Sequence, residues 1–125
     1  MTGSESHALF LIDDLPKAGP DGTAHARVQA DHPILQGHFP SRPVVPGVCL
    51  VDLVLRVCSA LLGAEHRIIR ARSIKFLMPV EPSTATELVV HASVVHGEGS
   101  VKAEARIMAG ETVAMKLTAE LAPAR

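Results

Sequence analysis

The side chains best suited to chemistry lie in Gly37-His38-Phe39-Pro40-Ser41-Arg42-Pro43-Val44-Val45-Pro46-Gly47-Val48, with Asp52 shortly after. His38 carries an imidazole, which takes and gives protons near neutral pH. The prolines around it stiffen the segment. Pro46-Gly47 suits the opening of a helix, because the N–H that proline lacks is not needed in the first turn. Unpaired N–H groups of Gly47 and Val48 at such an opening can hold a carbonyl oxygen as it gains negative charge. Asp52, one to two turns into the helix, offers a carboxyl group for a second proton. These parts suffice to remove a proton next to a carbonyl and to expel a β-hydroxyl. A plainer reading stays open on the same residues: a solvated loop histidine, a proline turn, and a surface pair of Asp52 and Arg56 contributing roughly 0.2–0.5 kcal/mol.

Positioning these groups requires a helix and something for it to pack on. The helix is predicted from Pro46-Gly47 to about Leu62, with Gly63 as its stop. Its polar residues, Asp52, Arg56 and Ser59, fall on one narrow stripe, so most of its circumference must be buried. Ala8 to Ile12 is a short apolar run, and Asp13 to Thr23, with two prolines and two glycines, reads as a loop. Ala24 to Ala30 alternates as a half-buried strand, and Asp31 to Val45 reads as an ordered irregular segment. After the helix only strand patterns follow. Arg67 to Val80 is long, Glu87 to Val95 is β-branched, and Val101 to Met108 alternates. Val113 to Glu120 alternates imperfectly, with turns at residues 96–99 and 109–111. The economical packing is α+β: an antiparallel sheet of about five or six strands wrapped around one long central helix, residues 1–125 forming one domain. The sheet keeps unpaired edges, which a homodimer would join.

Composition excludes several classes of function. With a net charge of −1 and three Phe as the only aromatics, the chain offers neither phosphate neutralisation nor a base-stacking platform, so no nucleic-acid partner is expected. The longest apolar stretch, Val44 to Leu55, is broken by Pro46, Gly47 and Asp52, so no membrane span is expected. The polar start, Met1 to His7, lacks a signal pattern and points to the cytoplasm. Cys49 and Cys58, nine residues apart, fall on opposite faces of the helix and read as reduced thiols. His32 and His38 lack a third ligand at a sensible spacing, so no metal is expected. There is no Gly-x-Ser-x-Gly elbow and no phosphate-binding glycine loop.

Gly37-His38-Phe39-Pro40-x-x-Pro43-Val44-x-Pro46-Gly47 resembles the signature of the bacterial (3R)-3-hydroxyacyl-[acyl-carrier-protein] dehydratases, enzymes of the hot-dog fold. The spacing from His38 to Asp52 is similar to theirs, as is the strand Ile74-Lys75-Phe76-Leu77-Met78-Pro79-Val80-Glu81-Pro82. The resemblance covers about Pro33 to Pro82. It implies dehydration of 3-hydroxyacyl thioesters on acyl carrier protein to trans-2-enoyl thioesters, in fatty-acid or polyketide- and polyene-type biosynthesis, without a cofactor. By carry-over His38 is the base, Asp52 handles the hydroxyl directly or through water, and the Gly47 or Val48 N–H holds the carbonyl. The resemblance also implies a homodimer with shared sites, where the loop histidine of one subunit faces the helix carboxylate of the other. The acyl chain would lie in an apolar tunnel, with Phe39, Phe76, Met78 and Val48 as lining candidates.

Arg56 and Ser83-Thr84 depart from the family pattern, while Asp52 takes one of its two forms. Asp52 stands where the family has Glu or Asp, Arg56 where longer-studied members tend to have Gln, and Ser83-Thr84 where they have Gly-Asp. A guanidinium close to Asp52 would favour its ionised form and make it an anchor for water or the substrate hydroxyl. Asp52-Leu53-Val54-Leu55-Arg56 looks most like the short divergent relatives of aryl-polyene-type pathways. Arg42, Arg67, Arg70, Arg72 and Lys75 are the expected contacts to an acidic carrier protein and its phosphate; solvation of one strand face is the plainer alternative. Two other readings remain: a hot-dog acyl thioesterase, and a non-catalytic subunit that binds acyl carrier protein.

Overall fold

The computed structural model describes residues 8–36, 43–82 and 86–124. In chain order the elements are β1 (Phe10–Asp13), β2 (Asp21–Val28), α1 (Pro33–Gln36), α2 (Gly47–Leu62), β3 (His66–Phe76), β4 (Glu87–His96), β5 (Val101–Ala109) and β6 (Thr112–Pro123). Six strands form one sheet in the order β1-β2-β4-β5-β6-β3. Every neighbouring pair is antiparallel. The concave side holds α2, which packs against β2, β3, β4 and β5. This is the hot-dog arrangement that the resemblance implied.

Alternation decides which side chains face the helix. Along β2, Ala24, Ala26 and Val28 are buried while Thr23, His25 and Arg27 are exposed. Along β5, Val101, Ala103, Ala105, Ile107 and Ala109 point inward. Many of these inward residues are alanines, and small side chains let a helix lie close to the sheet. The helix fills the space with Leu50, Leu53, Val54, Val57, Cys58 and Leu61. Each fully buried Leu or Val contributes roughly 1.5–3 kcal/mol relative to exposure. The helix ends where a glycine can take a left-handed backbone. Gly63 has φ 76°, and the N–H groups of Gly63 and Ala64 donate to Ala60 and Ser59 carbonyls at 3.2 Å. No helix among the described residues is long and apolar enough to cross a membrane.

The structure departs from the sequence expectations at four places. β2 begins at Asp21, inside the expected loop, because Asp21, Gly22 and Thr23 pair with Ser93, Ala92 and His91 of β4. A Cβ at Gly22 would sit 2.6 Å from Pro16 Cβ and 3.0 Å from Leu61 Cδ2. Only a glycine lets the strand pass under this loop, which the Gly19 N–H ties to the Leu61 carbonyl at 2.9 Å. Second, the irregular segment contains α1, with Pro33 in its first turn and the Ile34 N–H donating to His32 Nδ1 at 3.0 Å. Third, β3 stops at Phe76, where the Leu77 and Met78 N–H groups both turn onto the Ala114 carbonyl, at 2.8 and 3.3 Å. Fourth, β6 carries a bulge. Ile107 pairs with Met115 and Met108 with Val113, so Ala114 is the extra residue, and both Ala114 and Met115 are buried. That bulge is the physical origin of the imperfect alternation.

Candidate active site

The N-terminus of α2 is open. Pro46 (φ −59°, ψ 142°) precedes it and supplies no side-chain cap. Its carbonyl accepts from the N–H groups of Cys49 and Leu50 at 3.0 and 3.4 Å. Among the described residues the N–H groups of Gly47 and Val48 have no acceptor. N–H groups at a helix opening suit an oxygen that gains charge. The segment before the helix is held to the one after β3 by the Val45 N–H, which donates to the Val80 carbonyl at 2.9 Å.

Among the described residues, hollows open on α2 at two places. The first, about 410 Å³, is lined by Val44, Gly47, Leu50, Phe76, Met78 and Pro79 among others. Its walls are mostly apolar. Phe76 lies directly over Gly47, where an added Cβ would come within 2.7 Å of the ring. Glycine at this position is what allows the aromatic ring to approach the helix opening. Phe76 and Met78, expected in the tunnel, thus share this hollow with Gly47, and Phe76 remains 54% exposed. The second hollow, about 390 Å³, runs beside the later turns of α2 and includes Asp52, Leu55, Arg56, Ser59 and His66.

Asp52 therefore opens onto a different hollow from Gly47. Among the described residues, Gly47 and Asp52 do not line the same pocket. What joins the two is the exposed stripe of the helix itself: Val48, 74% exposed, Asp52 and Arg56 follow at four-residue spacing. Val48 and Asp52 are about 6 Å apart along the axis at 1.5 Å per residue. No ion pair joins Asp52 to Arg56 among the described residues. The Asp52 charge is nevertheless felt locally: burial first, and then this carboxylate, push the Cys49 thiol above its usual range. Cys58, on the buried side, is pushed up to about 11 by burial alone. His38, Phe39 and Arg42 lie outside the described residues.

The expected carrier-protein cations of β3 are all exposed, but they are not equivalent. Register shifts between Ile68 and Arg70 and between Ala71 and Ser73 break the alternation. Arg72 Nε donates to Glu120 Oε2 at 2.7 Å, and Arg70 stands opposite the same glutamate. Lys75 stands opposite Lys116, and among the described residues neither has an ion pair. Sequence reasoning did not find Lys116, because strand register is invisible in local pattern. It also did not place His66 in the second hollow. The one available signal was Ser59 on the polar stripe, whose Oγ accepts from the His66 N–H at 3.0 Å.

Comparison with known proteins agrees with this architecture. The ApeI-like family, described as ApeI dehydratase, matches residues 17–116. The 3-hydroxyacyl-[acyl-carrier-protein] dehydratase FabZ of Anaeromyxobacter sp. (strain Fw109-5) is 32% identical over 121 residues, covering 84% of this chain and 75% of its own. That of Ehrlichia chaffeensis is 29% identical over 124 residues, covering 83% of this chain and 85% of its own. Among solved structures, the dehydratase heterocomplex ApeI:P from Xenorhabdus doucetiae superposes with a TM-score of 0.67 at 17% identity, over 89% of this chain and 93% of that one. The E. coli PaaI protein from the phenylacetic acid degradation operon gives 0.67 at 15%, over 98% and 84%. These two structures share the fold. With the family match spanning most of the chain, the protein belongs to the ApeI-like dehydratase family.

Proposed function

We propose that this chain dehydrates 3-hydroxyacyl thioesters carried on acyl carrier protein, with His38 as the base and Asp52 acting on the hydroxyl. The family match and the curated FabZ relatives support the reaction. The observation that carries the assignment of residues is the uncapped opening of α2 one turn before Asp52, on the same exposed stripe. The thioester oxygen sits at the Gly47 or Val48 N–H. The imidazole takes the proton from Cα, and the freed electron pair forms the Cα–Cβ double bond. The C–O bond at Cβ breaks, and the hydroxyl, held directly or through water by Asp52, takes up the proton that the imidazole removed and leaves as water, so the imidazole is neutral again. The product is the trans-2-enoyl thioester.

A homodimer completes the site in this reading. β3 is eleven residues long and, among the described residues, pairs only with β6. Exposed Ile69, Phe76, Leu77 and Met78 lie on or just after it, and Val48 is exposed nearby on α2. A second copy covers these apolar groups and brings its own segment around His38 to Asp52. Sedimentation should give twice the 13.2 kDa of the chain; a monomer alone removes the shared site. Arg67 and Lys75, neither of them in an ion pair among the described residues, are the cations best placed to meet an acidic carrier protein. Both cysteines are free thiols, which fits our placing the reaction in the reducing cytoplasm.

Mass spectrometry of a 3-hydroxyacyl carrier protein tests the reaction. Loss of one water supports dehydration, whereas loss of the whole acyl group means hydrolysis and a thioesterase. His38→Ala should abolish most of the water loss. Unchanged turnover in that variant sinks the assignment of the base.

A further inference from the structure

The second hollow has polar equipment that the elimination does not use. It runs from Asp52 past Leu55, Arg56 and Ser59 to His66, with Leu15 on its wall. From Asp52 to Leu62 the helix covers about 15 Å at 1.5 Å per residue. His66, at the far end, is only 8% exposed. Its Nδ1 lies 2.8 Å from the carbonyl oxygen of Ala64. A carbonyl oxygen only accepts, so Nδ1 carries a proton, and in the neutral tautomer Nε2 keeps its lone pair. Among the described residues Nε2 has no protein partner, and none of their side-chain polar atoms is both sealed from solvent and unpartnered. Nε2 is therefore not sealed from solvent, and His66 lines the hollow, where its neutral tautomer offers an acceptor. Arg56, on the same hollow, is a donor without an ion pair among the described residues.

We propose that this hollow takes the distal part of the acyl chain and that Arg56 and His66 select a chain ending in a hydroxyl. The inference rests on the dehydratase reading. With the carbonyl at the start of α2 and the 3-hydroxyl at Asp52, the remaining chain continues along the helix toward His66. A terminal hydroxyl donates to Nε2 and accepts from the guanidinium. A terminal methyl strips water from both groups and returns no hydrogen bond. A terminal carboxylate suits Arg56 alone, and Glu65 on the same hollow repels it. Arg56 and His66 are specificity residues here, since neither touches the reacting atoms.

The test uses two 3-hydroxyacyl thioesters of equal length on carrier protein, one ending in methyl and one in hydroxyl. The full-length protein should favour the hydroxyl-ended substrate at least tenfold in kcat/KM. Arg56→Leu, on an exposed position, and His66→Phe should each pull that ratio toward one, a change that a general loss of structure does not produce because it lowers both rates together. Equal kcat/KM in the unmodified protein overturns the proposal, as does a ratio that survives both substitutions. If neither substrate is dehydrated, the reaction assignment fails while the hollow is still read by calorimetry with the two saturated 3-deoxy analogues. At least tenfold tighter binding of the hydroxyl-ended analogue supports the proposal, and equal affinity overturns it.

Discussion

Asp52 and Leu53 are neighbours on α2, yet they belong to regions with opposite duties. Leu53 is fully buried, in line with Leu50, Val54, Val57, Cys58 and Leu61 against the sheet. Asp52 shares the exposed stripe with Val48 and Arg56. The buried side holds the fold together, and the proposed function places the chemistry on the open side. A helix makes this separation possible because one residue of advance turns the side chain by about 100°. Stability and activity are therefore separable at adjacent positions.

Four measurements test that contrast. The largest effect is chemical. Asp52→Asn should lower kcat by roughly 10²–10⁴-fold, the usual worth of a positioned acid or base, while leaving the urea midpoint within error. A large loss of stability in this variant would show that the open stripe also supports the fold. Leu53→Ala should do the reverse, costing about 2–5 kcal/mol in chemical denaturation. Turnover per folded molecule should change little, as checked by activity normalised to the folded fraction.

The third outcome is set by Cys58. Its folded pKa is raised above the ordinary thiol value of 9.0 to about 11, because burial disfavours the thiolate. The stabilisation is then complete below the unfolded pKa and is lost as pH rises from 9 toward 11, by about 2–3 kcal/mol over that window. Unfolding in urea across this pH range should show the slope, and Cys58→Ala should remove most of it. The smallest effect is kinetic. A thiol-specific reagent at pH 8 should label half-buried Cys49 slowly and leave Cys58 untouched until the chain unfolds.

Much of the fold was legible because its signals are local. Pro46-Gly47 and Gly63 bracket α2 within a residue of where it lies. The β4–β5 and β5–β6 hairpins follow from their turn glycines; Gly99 and Gly110 indeed take φ of 80° and 65°. Asp21 to Thr23 misled because its residues favour turns, while pairing with β4 outweighs that preference. β3 was recognised as a strand, but its place at the far edge beside β6 depends on contacts between residues more than forty positions apart, such as Ile74 with Leu117.

The candidate site divides in the same way. Local residue pattern suffices for the helix that carries Asp52, its uncapped opening at Gly47 and the polar stripe, since each depends on residues within a few turns of one another. Long-range packing is needed to lay Phe76 over Gly47, to turn Asp52 toward a separate hollow, to bring Glu120 to Arg72 and to set Lys116 opposite Lys75. These depend on strand register and on two bulges in β3 and one in β6. A shift of one residue reverses every side chain on a strand. No local pattern records such a shift; it is chosen when the sheet closes around the helix and the whole core packs at once.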